Sequence, residues 1–173
     1  MEQSFRHWLI DNNEGAIDDA FFNEECLHFF AIDWREDAVD IVQDCAGCLN
    51  KDKVQGEWQN DRFVIIRNGI ETSVPLLNDD ADRDITIRTL NNVLSPDYEI
   101  RFLVCSHGSD TAGFAVLSSS EWHTLESELP EVVDANFIKL SAIPNIFSEM
   151  TDEQLPPAAL ARFQRTLERN QNG

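Results

Sequence analysis

Long apolar runs are missing from this sequence of 173 residues, which limits where the protein is expected to work. The longest apolar stretches are about as long as a strand, far short of the roughly 20 residues of a membrane-spanning helix. The first fifteen residues also lack the basic segment followed by an apolar one that marks a secretory signal. Four cysteines in such a context are typical of reduced thiols. We therefore expect one cytoplasmic domain spanning residues 1–173.

Basic residues are also few, and this restricts the partners. The chain has 13 Lys and Arg against 32 Asp and Glu, a net charge of −19. Nucleic acids and anionic membranes attract Lys and Arg, so we expect neither as a partner. The glycine-rich motif GxGxxG and the phosphate loop GxxxxGK are absent, which excludes the common nucleotide-binding loops. An excess of carboxylates favours a basic protein partner, bound cations, or solubility alone.

The first third of the chain predicts helices and carries much of the charge. Apolar residues recur at spacings of three and four over residues 33–49, which is the period of a helix. We expect another helix over residues 16–30 and a short one beginning at Ser4. Residues 1–50 contain 12 acidic and 2 basic residues, a net of −10. More than half of the excess negative charge therefore lies in this helical segment.

The rest of the chain predicts a sheet followed by more helices. Runs of β-prone residues fill 54–118 around one inserted helix, and Asn68-Gly69 between two of them is typical of a tight hairpin turn. Residues 119–173 favour helices. We therefore expect an α+β fold, with a mainly antiparallel sheet of about five strands. An N-terminal helical layer and C-terminal helices are expected on one face of that sheet.

Five carboxylates recur along the helix predicted over 33–49, on the side opposite its apolar stripe. They are called the acidic segment below: Asp33, Glu36, Asp37, Asp40 and Asp44. Almost no basic residue stands four positions away to balance them, so pairing within the helix does not explain them. We predict that the acidic segment binds a basic partner. A solvated face that serves only solubility is the alternative.

A second group of polar side chains lies between two predicted strands, in the stretch "SHGSDT". Catalysis by serine, histidine and aspartate needs a base within hydrogen-bonding distance of the serine, whereas neighbours such as Ser106 and His107 tend to point apart. Ser, Gly, Asp and Thr also favour turns for backbone reasons. We predict a hairpin connection with His107, Ser109 and Asp110 as a candidate recognition loop. Replacing His107 with Ala is then expected to cost less than about 0.5 kcal/mol.

The pair Cys45 and Cys48 has the spacing of a redox or zinc motif. Cys45 lies on the predicted apolar stripe, and the pair is near the C-terminal end of its helix, where the helix dipole opposes a thiolate. A zinc site needs further ligands, and no common finger spacing supplies them. We expect structural cysteines, no metal and no cofactor. The alternative is a thiol or metal enzyme that uses Cys105, His107 and Asp110.

These patterns predict a protein that binds rather than catalyses, with no catalytic residue. The leading hypothesis is an inhibitor or immunity-type protein that masks a basic protein partner, such as a toxin, by electrostatic attraction. Two alternatives stay open: a small thiol/His enzyme or metal protein, and an acidic scaffold or accessory subunit. The sequence leaves the oligomeric state open.

Overall fold

Six α-helices and seven β-strands make up the regular structure of the described residues. The computed structural model describes residues 6, 9, 14–22, 27–49, 53–79, 81–147 and 150–171. The helices are α1 (Glu14–Phe22), α2 (Ala38–Gly47), α3 (Asp82–Leu94), α4 (Ser119–Glu128), α5 (Pro130–Asn136) and α6 (Pro157–Gln171). The strands are β1 (Phe29–Asp33), β2 (Val54–Gln59), β3 (Arg62–Arg67), β4 (Ile70–Ser73), β5 (Tyr98–Leu103), β6 (Thr111–Ser118) and β7 (Phe137–Lys139). The short helix predicted at Ser4 begins outside the described residues.

Every strand pair is antiparallel, and the strands form two sheets. One sheet has the order β1-β6-β5-β7 and the other the order β2-β3-β4. The α+β fold and the antiparallel pairing are therefore confirmed. The strands, however, number seven rather than about five. The two extra strands, β1 and β7, lie at the edges of the four-stranded sheet, in segments for which helices are predicted.

Strand β1 replaces the end of the helix predicted over residues 16–30. Phe30 and Ile32 are buried and their neighbours are half-buried, which is the alternation of a strand. Strand β1 pairs with β6 in a register that places Asp33 opposite Thr111. Pairing with a strand distant in the sequence thus overrides the local helical pattern.

The four-stranded sheet is covered on both faces, not on one as predicted. Successive residues of a strand point to opposite sides. Phe102 and Phe114 join a large apolar cluster with α2, α3 and α6. Leu103 and Leu117 join a smaller cluster with α1, α4 and α5. The predicted N-terminal helical layer is therefore divided, because α1 and α2 pack on opposite faces.

Arg162 joins three helices from inside the protein. Its side chain is fully buried, and its guanidinium donates hydrogen bonds to Asp18 of α1, Asn136 of α5 and Thr166 of α6. A buried charge needs such partners, because leaving water without them costs several kcal/mol. Arg162 therefore fixes how α1, α5 and α6 sit relative to one another.

Candidate functional site

The acidic segment spans a strand end, a turn and part of a helix. Asp33 is the last residue of β1, Glu36 and Asp37 lie in the following turn, and only Asp40 and Asp44 lie on α2. The prediction that all five lie on one helix face is therefore wrong. They remain close in sequence at one end of β1, where the chain passes from the sheet to α2.

Hydrogen bonds within the acidic segment explain why α2 begins late. The Oδ1 atom of Asp37 accepts hydrogen bonds from the backbone N–H groups of Val39 (2.8 Å) and Asp40 (3.2 Å). Asp37 is thus the N-cap of α2, a position that aspartate favours. The Oδ1 atom of Asp33 accepts a hydrogen bond from the N–H of Arg35 at 2.8 Å. These bonds hold the turn in one conformation.

The carboxylates of the acidic segment repel one another. None of the five forms an ion pair with a residue that the structure describes. Burial, followed by the charges of Asp44, Asp40 and Asp33, raises the pKa of Glu36, although a backbone hydrogen bond at Asp33 opposes this. Burial and the charge of Asp40 raise the pKa of Asp44. The Oε2 atom of Glu36 is buried and has no hydrogen-bond partner among the described residues.

Several arginines have structural roles elsewhere in the fold, which helps to explain why so little positive charge lies near the acidic segment. Arg101 and Arg162 are buried in ion pairs inside the fold. Arg67 donates to carbonyl oxygens at the end of α3, and Arg88 donates to three carbonyl oxygens between residues 140 and 144. These arginines hold the fold together and do not neutralise the acidic segment.

Two tryptophans next to the acidic segment are exposed. Trp34 is 55% exposed, and the guanidinium of Arg35 lies 4.4 Å from the centroid of its ring. Trp34 is one of the apolar residues whose spacing predicts a helix over residues 33–49, but it precedes α2 and faces solvent. Trp58 is 49% exposed and shares a cavity of about 210 Å³ with Glu36 and Asp37. Exposed tryptophans beside charged groups are typical anchors of protein interfaces.

The predicted recognition loop follows β5 through a 3₁₀ turn at Val104–Ser106. The Oγ atom of Ser106 donates to the carbonyl oxygen of Leu103 (2.7 Å) and accepts from the N–H of Gly113 (2.8 Å). The Oγ atom of Ser109 lies 2.9 Å from the carbonyl oxygen of Ser106. Both hydroxyls therefore brace the connection between β5 and β6, in agreement with a turn rather than a nucleophile.

His107 is held inside the structure, contrary to the prediction of a dispensable surface residue. Its side chain is only 6% exposed, and its Nε2 atom lies 2.8 Å from Oδ1 of Asp152. Its ring packs edge-on against Phe163 of α6, with 4.6 Å between the centroids. The imidazole therefore joins the loop to a later part of the chain. Asp110, which sequence reasoning grouped with it, is exposed to solvent.

The thiol alternative receives no support from the surroundings of Cys105. Burial raises the pKa of Cys105 to about 12, and the nearby Asp18 carboxylate adds to the effect although Arg162 opposes it. A thiol with such a pKa is not a nucleophile at neutral pH. His107 bonds to Asp152 and not to this thiol. Cys105, His107 and Asp110 therefore do not form a catalytic group.

Cys45 and Cys48 are buried free thiols near the end of α2. Burial raises the pKa of Cys45 well above its ordinary value. The Sγ atom of Cys48 donates weak hydrogen bonds to the carbonyl oxygens of Phe29 (3.5 Å) and Asp44 (3.6 Å). Within the described part of the chain, no three His, Cys, Asp or Glu side chains are grouped as metal ligands. The remaining cysteine of the chain, Cys26, lies outside the described residues.

A cavity of about 550 Å³ lies between the recognition loop and Trp34, the residue that follows Asp33. Strand pairing accounts for this, because the register of β1 with β6 brings Asp33 beside Thr111. Trp34 lines the cavity on one side, the loop residues His107 and Asp110 line it on another, and Phe147 adds an aromatic wall. Sequence reasoning named both groups of polar residues but missed the cavity, Trp34 and Phe147. In the sequence, the signal for the strand that brings them together is the short apolar run over residues 29–32, which fits a buried strand as well as the end of a helix.

Among the described helices, none has both the length and the apolar character needed to cross a membrane. No protein-family model, curated protein or solved structure matches the chain significantly. A function for this chain is therefore inferred from its own residues alone.

Proposed function

We propose that this chain is a non-catalytic, cytoplasmic binding protein whose acidic segment docks on a basic protein. The role that fits best is that of an inhibitor or immunity-type protein that masks a basic partner such as a toxin. One observation carries the proposal: five carboxylates within twelve residues form no ion pair with any described residue. The positive charges that would balance them are supplied by the partner.

The electrostatics of the acidic segment support such docking. Burial raises the pKa values of Glu36 and Asp44, and repulsion from neighbouring carboxylates adds to the effect; a lysine or arginine placed nearby relieves that repulsion. A surface of one sign also steers a basic protein toward it and raises association rates roughly 10- to 10³-fold at low salt. Trp34 and Trp58 supply apolar contact area beside these charges. Charge therefore guides the encounter, and the aromatic side chains contribute to affinity once the proteins meet.

The test begins with isolation of the partner. The tagged chain is used to capture proteins from the extract of its own cells at low salt, and bound proteins are eluted at high salt. Association of the purified partner is then measured against ionic strength, for the wild-type chain and for a variant that lacks four charges. That variant carries Glu36→Gln, Asp37→Asn, Asp40→Asn and Asp44→Asn. We expect association to slow at least about tenfold at low salt and to depend less on salt.

A matched control removes the same number of charges elsewhere. Its positions are exposed acidic residues away from the acidic segment: Asp61→Asn, Glu131→Gln, Asp134→Asn and Glu153→Gln. If both variants slow association equally, the association rate depends on net charge and not on the acidic segment. That result favours the scaffold or solubility role. An inhibitor is further expected to abolish an activity of the isolated partner at equimolar amounts. A partner that stays fully active in the complex would contradict the inhibitory role.

A further inference from the structure

The cavity between Trp34 and the loop at residues 106–110 has the chemistry of a pocket for an organic cation. Its walls are mainly apolar and aromatic, and among its lining residues Asp110 is the one with a carboxylate. No described residue pairs with the Asp110 carboxylate. Resting on the proposed function, we propose that this cavity receives an arginine side chain of the basic partner and so determines which partner is bound.

The walls of the cavity are held in place before any partner arrives. The carboxylate of Asp84 is buried and accepts hydrogen bonds from the N–H groups of Ile146 (2.9 Å) and Phe147 (3.2 Å), which fixes one wall. The contact between His107 and Asp152 (2.8 Å) fixes the loop on the other side. When an anchor side chain enters a preformed pocket, less free energy is lost in ordering the pocket. Its volume of about 550 Å³ also falls within the roughly 300–1,000 Å³ of ligand pockets.

Arginine suits these walls better than other side chains. Its planar guanidinium stacks on aromatic rings and pairs with a carboxylate through two parallel hydrogen bonds. Trp34 and Phe147 provide rings, and Asp110 provides the carboxylate. A neutral apolar anchor would leave the Asp110 charge without a partner, whereas an acidic anchor would be repelled by it.

The chain's own arginines already make this kind of contact on the same rings. Arg35 lies 4.4 Å from the centroid of Trp34, and Arg83 lies 5.3 Å from that of Phe147. Neither guanidinium lines the cavity. Since an aromatic ring has two faces, the exposed ring of Trp34 can accept a second cation, although the charge of Arg35 opposes one. Removing that charge with Arg35→Gln should therefore strengthen binding of a cation in the cavity.

The probe that tests this proposal is Nα-acetyl-arginine amide, titrated into the full chain labelled with ¹⁵N. We expect a dissociation constant in the millimolar range, with shifts of the amide signals of Gly108 and Ser109 and of the indole N–H signal of Trp34. The control ligand is Nα-acetyl-citrulline amide, which has the same planar shape without the charge. We expect it to bind at least about tenfold more weakly. Equal binding of the two ligands would overturn the assignment to a cation, and absence of shifts for the arginine ligand would overturn the pocket.

Two variants locate the binding within the cavity. Asp110→Asn removes the charge of an exposed side chain, keeps its size and should weaken binding of the arginine ligand about fivefold. Trp34→Ala removes an aromatic ring and should weaken binding about two- to fivefold. Ile70→Ala is the control, because Ile70 is a large apolar side chain that is 72% exposed and lines none of the three described cavities. If Ile70→Ala weakens binding as much as Trp34→Ala, the proposal is wrong. The variant that lacks four charges tests the proposed function separately, through the association rate of the protein partner.

Discussion

The Nε2 atom of His107 lies 2.8 Å from Oδ1 of Asp152, a residue 45 positions later in the chain. This contact connects the loop between β5 and β6 to the 3₁₀ turn that precedes α6. The ring of Phe163 covers the imidazole from α6. A loop that looks like an ordinary polar turn in the sequence is thus part of the tertiary structure, and it forms one wall of a cavity of about 550 Å³.

We predict that His107→Ala lowers the free energy of unfolding by about 1–3 kcal/mol. The substitution removes a hydrogen bond and the packing against Phe163, and it leaves a gap beside an aromatic ring. Urea unfolding at pH 7, followed by circular dichroism, measures the loss. His123→Ala is the matched control, since His123 is exposed on α4 and its removal should cost less than about 0.5 kcal/mol. Equal small losses for the two variants would show that His107 contributes nothing to the fold.

Replacing Arg162 with Met is expected to destabilise the protein by about 3–5 kcal/mol. Methionine has a similar length, but it leaves the carboxylate of Asp18 largely buried without its cation. The exposed Arg62, whose nearest ion-pair distance is 3.8 Å to Glu71, provides the comparison. Arg62→Gln should change stability by less than about 1 kcal/mol, because exposed ion pairs contribute little. A loss below 1 kcal/mol for Arg162→Met in the same unfolding assay would contradict the structural role.

Local signals in the sequence predict the elements that depend on neighbouring residues. Asn68 and Gly69 both have positive φ, 51° and 84°, as a tight hairpin turn between β3 and β4 requires. Ser118 and Glu121 form the capping box that begins α4, from a serine and a glutamate three residues apart. In both cases the atoms that decide the conformation lie within four residues of one another.

Elements that depend on pairing with distant residues of the chain are not predicted from the sequence. Phe29–Asp33 becomes a strand because β6, about 80 residues later, offers a pairing edge. The acidic segment is recognisable from the sequence alone, since five carboxylates with Arg35 as the one basic residue among them can be counted without knowledge of the fold. The cavity is not recognisable from the sequence, because it forms only when Trp34, the loop at 106–110 and Phe147 come together.

We predict that the thiol of Cys105 reacts slowly with iodoacetamide in the folded protein. Burial raises its pKa to about 12, so the reactive thiolate is scarce at pH 8 and the atom is also shielded. Mass spectrometry of proteolytic peptides after timed alkylation measures each cysteine separately. The same protein in urea, where the thiol is exposed, should be alkylated much faster. Modification of native Cys105 at the rate seen in urea would restore the thiol-enzyme alternative.

Glu36→Gln is expected to stabilise the protein at pH 7. Burial and the charges of Asp44, Asp40 and Asp33 raise the pKa of Glu36 from its ordinary value of 4.5. The folded protein therefore binds this proton more tightly than the unfolded chain does, and stability falls as the pH rises from the unfolded pKa through the folded one. The ionised carboxylate destabilises the fold above that range. Glutamine removes the charge and should add about 0.5 kcal/mol, a small gain because the side chain is only partly buried.

The pH dependence distinguishes this effect from a general change in packing. At pH values below the unfolded pKa, Glu36 is protonated in both states, so the gain from Glu36→Gln should disappear. Thermal unfolding of both proteins between pH 3.5 and about pH 7 measures the difference at each step. Glu131→Gln makes the same change in net charge at an exposed position of α5 and should have a smaller effect at pH 7. A gain from Glu36→Gln that persists undiminished at pH 3.5 would mean that repulsion within the acidic segment is not its cause. The acidic segment would then lack the unrelieved charge on which docking of a basic partner depends.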